Sequence, residues 1–148
     1  MIPALLFAVG CSPNVECTLI GSPVGVGVQT GKPEAESAVV EVCWDGSCKR
    51  ADAELHVSRR PGEQTCSGDT CSVTAAPTGE KNGFANVTGL PKRPVEIRLT
   101  LRDARQAPVL ERTIKATPKG TFPNGPGCGE QGPQVQLTVA ADGTVRER

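Results

Sequence analysis

The chain has 148 residues, enough for one domain with one hydrophobic core. Its 16 Lys and Arg residues balance its 16 Asp and Glu residues, which argues against the concentrated basic face of a nucleic-acid binder and against a polybasic membrane patch. The 17 Gly and 13 Pro residues lie between apolar runs, so the composition indicates many turns rather than disorder.

The opening segment is short and apolar and ends at a cysteine. Residues 1–10 are too few to span a bilayer but have the length of a signal-peptide h-region. The motif Ala8-Val9-Gly10-Cys11 resembles the lipobox of bacterial lipoproteins, although Ala8 stands where Leu is commonest. The resemblance implies that residues 1–10 are removed and that Cys11 carries a diacylglyceryl anchor, with residues 11–16 as a tether. No Lys or Arg precedes Lys32, so we expect an upstream start; ordinary secretion and a cytosolic chain are the alternatives.

The cysteine count supports the lipobox interpretation. Seven cysteines is an odd number, which leaves one thiol without a partner. Lipidation of Cys11 removes this difficulty, because an even number then remains for disulfides. The remaining cysteines are Cys17, Cys43, Cys48, Cys66, Cys71 and Cys128.

One disulfide follows from local geometry. Asp45-Gly46 lies at the centre of residues 38–50 and strongly indicates a two-residue β-hairpin. That turn makes Cys43 and Cys48 a non-hydrogen-bonded pair with Cα atoms about 4.5 Å apart, at the short end of disulfide geometry. The hairpin therefore predicts a Cys43–Cys48 disulfide. The same register predicts an ion pair between Glu41 and Arg50.

Two further disulfides complete the set. Cys66 and Cys71 bracket a short polar segment, so we pair them, which leaves Cys17 for Cys128. The Cys17–Cys128 bond would close a loop that contains most of the domain, and chain-entropy estimates give about 4–5 kcal/mol of stabilisation for a loop of that length. Structural zinc on the two equally spaced pairs is the competing interpretation, but zinc sites prefer two intervening residues and export exposes thiols to oxidation. A Cys-x-x-Cys redox motif is absent from the sequence.

Apolar residues that alternate with period two predict the strands. In chain order these strands cover residues 24–28, 38–44, 47–57, 84–87, 95–102, 109–116 and 135–139, with a small terminal hairpin at Asp142-Gly143. The glycines of residues 24–28 are expected to lie under a neighbouring backbone. Residues 58–83 and 117–133 are rich in Gly, Pro and small polar residues, so we predict loops there.

Seven or eight short strands predict an all-β fold, a single disulfide-stapled β-sandwich over residues 17–148. Residues 83–91, followed by a strand that ends in Leu-Arg-Asp, resemble the Ig-like and transthyretin-like modules of bacterial surface proteins. The resemblance implies an Ig-like sandwich, although the chain has no Tyr for a tyrosine corner. Trp44 is expected in the core.

The residues offer little for catalysis. The only histidine, His56, is expected to be exposed on a face shared with Arg50 and Asp52, and Asp69 alone is a turn residue. We therefore expect no enzyme activity, no metal and no cofactor. A small hydrolase would need a pocket with an acid–base pair around His56.

The sequence thus favours a binding or structural module of the bacterial cell envelope. Its expected place is the outer face of the cytoplasmic membrane, anchored through Cys11, with an extracellular protein or cell-wall partner and no nucleic acid. Recognition is expected on loops 58–83 and 117–133, because loops on a rigid sandwich carry binding residues. The alternative is a secreted protease inhibitor that presents the Cys66–Cys71 loop, whose rigidity would lower the cost of ordering it on binding.

Overall fold

The computed structural model describes residues 15–148, and that range contains ten β-strands and no helix. The strands are β1 (Gly25–Thr30), β2 (Ser37–Trp44), β3 (Ser47–Glu54), β4 (His56–Ser67), β5 (Thr70–Asn86), β6 (Val95–Arg102), β7 (Pro108–Ala116), β8 (Lys119–Thr121), β9 (Gln131–Val139) and β10 (Val145–Glu147). The prediction of an all-β chain is confirmed, but the expected seven or eight strands were too few. The signal segment, Cys11 and most of the tether lie outside the described residues. Within the described range, no helix has the length and apolar character needed to cross a membrane.

The strands form two sheets. The larger has the order β10-β9-β1-β5-β4, with β8 paired to one end of β9, and the smaller has the order β3-β2-β6-β7. All pairs are antiparallel except β1 with β9, where Val26 lies beside Val135 in a parallel register. The long separation between β1 and β9 in sequence allows this parallel pairing, because a parallel connection needs a crossover.

The two sheets bury one shared apolar core, and period-two alternation decides which residues face it. In β6 the inward residues are Val95, Ile97, Leu99 and Leu101, each at most 3% exposed. The inward valines and leucines of β1, β2 and β9 complete the centre: Val26, Val28, Val40, Val42, Val135, Leu137 and Val139. The sandwich thus rests on the strands whose alternation is clearest in the sequence.

The predicted strand over residues 47–57 is interrupted at Leu55. There the chain leaves the smaller sheet, in which β3 ends at Glu54, and enters the larger one, in which β4 begins at His56. Leu55 is 5% exposed and its N–H donates a hydrogen bond to the Glu36 carbonyl. Burial of this side chain between the sheets separates two strands that read as one in sequence.

The prediction of a loop over residues 58–83 is wrong. These residues lie in β4 and β5, which pair from His56 with Asn82 to Ser67 with Thr70. The ribbon escaped detection because both of its faces are exposed over most of its length, so no apolar alternation marks it. In the other predicted loop, 117–133, residues 119–121 form β8 and β9 begins at Gln131.

The β2–β3 hairpin has the predicted register, with two differences in its side chains. Glu41 is opposite Arg50 across the pair but forms its ion pair with Arg98 of β6, with Oε1 and Nη1 2.9 Å apart. Arg98 flanks Glu41 from the other side of β2, and Arg50 lies near Asp52 instead. Trp44 is half-buried rather than a central core residue, because it lies at the turn end of the hairpin, paired with Ser47 and with Lys49 Nζ 5.6 Å from its ring centroid.

Candidate functional site

The part of the fold that extends furthest from the core is the distal β4–β5 ribbon, residues 59–77, which we call the arm. Arg59 pairs with Pro77 at its base, and Ser67 pairs with Thr70 at its tip. Residues 59–75 are all exposed, and none of them belongs to the core cluster. At about 3.3 Å per residue, the stretch from Arg59 to Ser67 reaches roughly 25 Å. The arm therefore presents its side chains well beyond the sandwich.

A disulfide closes the tip of the arm. The Cα atoms of Cys66 and Cys71 lie 4.0 Å apart, the close approach of a non-hydrogen-bonded antiparallel pair. Beyond this pair the two-residue turn begins at Gly68, whose φ of 62° is one that glycine adopts without strain. The tip is thus a covalently closed hairpin that carries small polar side chains, among them Asp69 and Thr70, both exposed.

Two prolines protect the edges of the arm. Pro61 pairs with Ala75, and Pro77 pairs with Arg59. Because proline has no N–H, each of these pairs belongs to the non-hydrogen-bonded class, and the missing donor lies on the outer edge of the ribbon. Prolines and charged residues at an exposed edge hinder the addition of another strand. The arm is therefore suited to recognition through its side chains rather than through backbone pairing.

The second short disulfide lies on the other sheet. Asp45 and Gly46 both have positive φ values, 50° and 74°, as a type I′ turn requires, and the flanking Cys43 and Cys48 are joined with Cα atoms 4.0 Å apart. Glu41 places its carboxylate near both sulfur atoms. Since these sulfurs are bonded to each other, they are not the thiolates that zinc requires.

The third disulfide, Cys17–Cys128, fastens the start of the described chain to the predicted loop 117–133. Asn124 adds a clamp: its Oδ1 accepts the Ile20 N–H at 3.0 Å, and its Nδ2 donates to the Ile20 carbonyl at 3.0 Å. Lys92 and Glu130 form a further ion pair of 2.7 Å across this region. The loop is therefore tied down on several sides, which leaves the arm as the freer of the two predicted recognition regions.

His56 is exposed as expected, but not on the predicted face. Its side chain is 74% exposed, and its Nε2 lies 4.0 Å from the Glu54 carboxylate. Because the chain changes sheets at Leu55, His56 shares no strand with Arg50 or Asp52. It lies instead at the border of a depression of about 370 Å³ on the outer face of the larger sheet.

That depression belongs to a surface that the sequence reading missed, which we call the amide face. It comprises the outward residues of the three neighbouring strands β9, β1 and β5: Gln134, Gln136, Thr138, Gly25, Gly27, Gln29, Asn82, Phe84 and Asn86. At its centre Gly27 lies between Gln136 and Phe84 in the ladder. Gly25 lies under a neighbouring backbone as expected, because a Cβ there would collide with the Ala85 carbonyl. A Cβ at Gly27 would collide with the Gln136 side chain instead, so this glycine lies under a side chain.

Two exposed carboxyl groups have shifted acidities. Hydrogen bonding to the backbone N–H of Thr144 is the main cause that lowers the pKa of Asp142, and a bond to its own backbone N–H is the main cause that lowers the pKa of Glu34. Both residues lie in turns, away from His56 and the amide face.

Comparison with protein-family models, with curated proteins and with solved structures gives no match for this chain.

Proposed function

We propose that the protein is a lipid-anchored binding module of the bacterial cell envelope, held on the outer face of the cytoplasmic membrane through Cys11. Cysteine usage supports the proposal. Three disulfides use the six cysteines that follow Cys11, and such bonds persist in oxidising compartments. The cysteine outside these pairs is the one that ends the lipobox motif.

The arm is the observation that carries a binding role. A ribbon that buries none of its side chains in the core does not stabilise the sandwich, yet its tip is stapled by Cys66–Cys71. A hairpin closed by a disulfide loses little conformational entropy when a partner binds, so the disulfide lowers the free-energy cost of binding at this tip. Its partner is an extracellular protein or a cell-wall polymer, reached across the gap between the membrane and the wall.

Intact-mass analysis of the chain, made behind a basic n-region in a bacterium that processes lipoproteins, tests the anchor. The expected mature chain starts at Cys11 with a diacylglyceryl group and gains about six hydrogens on reduction, two per disulfide. Cys11→Ser is the control, and it is expected to abolish the lipid mass without changing the gain on reduction. An unlipidated wild-type chain with residues 1–10 still attached would overturn the proposal.

The role of the arm is tested with washed bacterial cells on residues 12–148, which lack both Cys11 and the apolar segment before it. An arm-deleted variant joins Arg60 to Ala76 through Asn-Gly, because these two residues already form a ladder pair that a two-residue turn can close. Arm deletion is expected to reduce cell binding at least tenfold, whereas Lys115→Ala, on the exposed side of β7, leaves it unchanged. Equal binding by the intact and arm-deleted chains would exclude the arm as the recognition element.

Exposure of the stapled tip also favours the alternative, a secreted protease inhibitor that presents the Cys66–Cys71 loop. In this case the wild-type chain inhibits a secreted protease at stoichiometric concentration, and the double variant Asp69→Ala/Thr70→Ala loses inhibition without loss of folding. A panel of secreted serine, cysteine and metalloproteases that shows no inhibition by the wild-type chain eliminates this function.

A further inference from the structure

The amide face differs in charge from the rest of the sandwich surface. None of its nine residues is charged, whereas the outward residues of the smaller sheet include Glu41, Arg50, Asp52, Glu96, Arg98, Glu111 and Lys115. A solvated sheet face ordinarily carries charged residues of both signs, which favour solubility. The larger sheet instead concentrates side-chain amides at its centre. Charged or titratable residues surround this centre, namely Glu80, Arg146, Arg148 and His56, and Glu80 and Arg148 both hydrogen-bond the Gln29 amide.

The centre of the face has the shape of a shallow trough. Gly27 contributes no side chain, so the Gln136 amide lies across it, and the half-buried Phe84 ring flanks it on β5. The depression of about 370 Å³ continues along β1 and β5 to Gln29 and Asn82. An extended ligand that lies along this trough would contact both the Gln136 amide and the Phe84 ring.

Gln134 and Gln136 hold one another at the trough, whereas the Gln29 amide donates to the Glu80 carboxylate and accepts from Arg148. Gln134 Nε2 donates to the Pro23 carbonyl at 2.7 Å, and Gln136 Nε2 donates to Gln134 Oε1 at 2.9 Å. This chain orients Gln136, whose Oε1 lies against Gly27 and accepts no side-chain hydrogen bond from residues 15–148. Among residues 15–148, Asn82 and Asn86 form no side-chain hydrogen bond, so each amide offers both donors and an acceptor.

We propose that the amide face binds a neutral oligosaccharide, with N-acetylated β-linked hexoses as the preferred class. Amide side chains pair in both directions with hydroxyl and acetamido groups, and the Phe84 ring receives the apolar C–H face of a sugar. The nine residues of the face carry no charge themselves, so a neutral ligand matches their side chains better than a charged peptide does. The site is separate from the arm, so the proposal goes beyond the envelope-binding role.

The test uses the full chain with its disulfides formed and, as the probe, the hexamer of β-1,4-linked N-acetylglucosamine. Titration followed by amide NMR is expected to show saturable shifts confined to β1, β5, β9 and the β4 residues beside Asn82. Calorimetry measures the Kd of each variant. Phe84→Leu keeps an apolar side chain but removes the ring, and it is expected to weaken binding about five- to tenfold. Gln136→Ala is expected to weaken it about three- to tenfold.

Matched control variants distinguish binding at the amide face from binding elsewhere on the surface. Phe122→Leu changes an exposed ring outside the face, and Gln64→Ala changes an amide on the arm; both are expected to leave the Kd within about twofold. The arm-deleted variant is expected to bind the hexamer normally, because its trough is intact. If the chain proves to carry no lipid anchor but still binds the hexamer, the envelope-anchor proposal is wrong and the glycan-binding proposal is not affected.

Three results of these titrations would overturn the proposal: no saturable binding at millimolar hexamer, binding that Phe84→Leu and Gln136→Ala leave unchanged, or loss of binding on arm deletion. Tighter binding of an acidic hexamer of galacturonic acid would also overturn it, since attraction to Arg146 and Arg148 would then govern recognition.

Discussion

Cys17 and Cys128 are 111 positions apart in sequence, and their disulfide brings their Cα atoms to 5.5 Å. The bond ties an exposed segment that forms no strand of its own to the loop that precedes β9. Asn124 reinforces the tie through its two hydrogen bonds to Ile20. Gln131 adds a second clamp, since its Oε1 accepts the Ser22 N–H at 2.7 Å and its Nε2 donates to the Ile20 carbonyl at 3.1 Å. The start of the domain is thus held by one disulfide and by side-chain hydrogen bonds rather than by a sheet.

Removal of this long-range disulfide is expected to destabilise the fold more than removal of a short one. For the double variant Cys17→Ser/Cys128→Ser we expect the free energy of unfolding to fall by about 3–5 kcal/mol, because the unfolded chain regains the entropy of a long loop. The short-loop variant Cys43→Ser/Cys48→Ser is expected to lose about 2 kcal/mol. Urea unfolding measures both, and equal losses would contradict the loop-length argument.

Lys81 is expected to stabilise the fold through its hydrogen bonds to carbonyl groups. Its side chain is 15% exposed, and its Nζ donates to the Pro33 carbonyl at 3.0 Å, the Ala35 carbonyl at 2.9 Å and the Glu36 carboxylate at 2.7 Å. Lys81→Met leaves these acceptors unpaired, so we expect a loss of about 1–3 kcal/mol in urea unfolding. The exposed Lys115→Met is the control. A loss that disappears at high salt would show that only the ion pair matters.

The sequence was sufficient where local chemistry decides the structure. Asp45-Gly46 has the dihedral angles of its predicted turn, and the Cys43–Cys48 register follows from it. The strand over residues 95–102 has its predicted bounds, because one face of β6 is fully buried and the other is polar. Turn residues and period-two alternation act over a few positions, so one sequence contains all the information they need.

The arm and the amide face depend on which strands pair with each other, and local sequence patterns do not contain that information. Both faces of the arm are exposed, with Thr65 and Ser72 on one face and Gln64 and Val73 on the other, so its sequence reads as a loop although its residues pair. The amide face places Gln136 beside Gly27, more than a hundred positions away, through the parallel β1–β9 pairing. Single-sequence alternation marks these residues as outward but cannot tell which strands are neighbours.

Gly83 is expected to tolerate no side chain. A Cβ there would collide with the Glu54 backbone carbonyl, where the chain passes from β3 to β4 beneath β5. Backbone atoms cannot swing aside as a flexible side chain does, so we expect Gly83→Ala to destabilise the fold by about 2 kcal/mol or more. Gly31→Ala is the control, since its Cβ would meet Ala141 at an ordinary 3.5 Å, and we expect little loss or a slight gain. Equal thermal stabilities for the two variants would contradict the predicted collision.

The Asp142 turn is expected to weaken in acid. Asp142 Oδ1 accepts the Thr144 N–H at 2.9 Å, which lowers the pKa of Asp142 below its ordinary 3.8. A lowered folded-state pKa gives a stabilising contribution that is present above pH 3.8 and is lost as the pH falls through the folded value. The carboxyl and the Thr144 amide are expected to titrate together in NMR, with one midpoint below 3.8. A midpoint at or above 3.8 would show that the bond does not persist in solution.

Deletion of the arm is expected to leave the stability of the sandwich nearly unchanged. Replacement of residues 61–75 by Asn-Gly removes side chains that are all exposed and keeps the ladder pair of Arg60 with Ala76. A two-stranded ribbon without a packed face contributes little on its own, so we expect the free energy of unfolding to change by less than about 1 kcal/mol. Hydrogen exchange on the intact chain is expected to be faster in the arm than in β1, because β1 is paired on both sides and buried. A loss of several kcal/mol on deletion would mean that the arm packs against the sandwich, and binding defects of the deleted chain could then no longer be assigned to recognition.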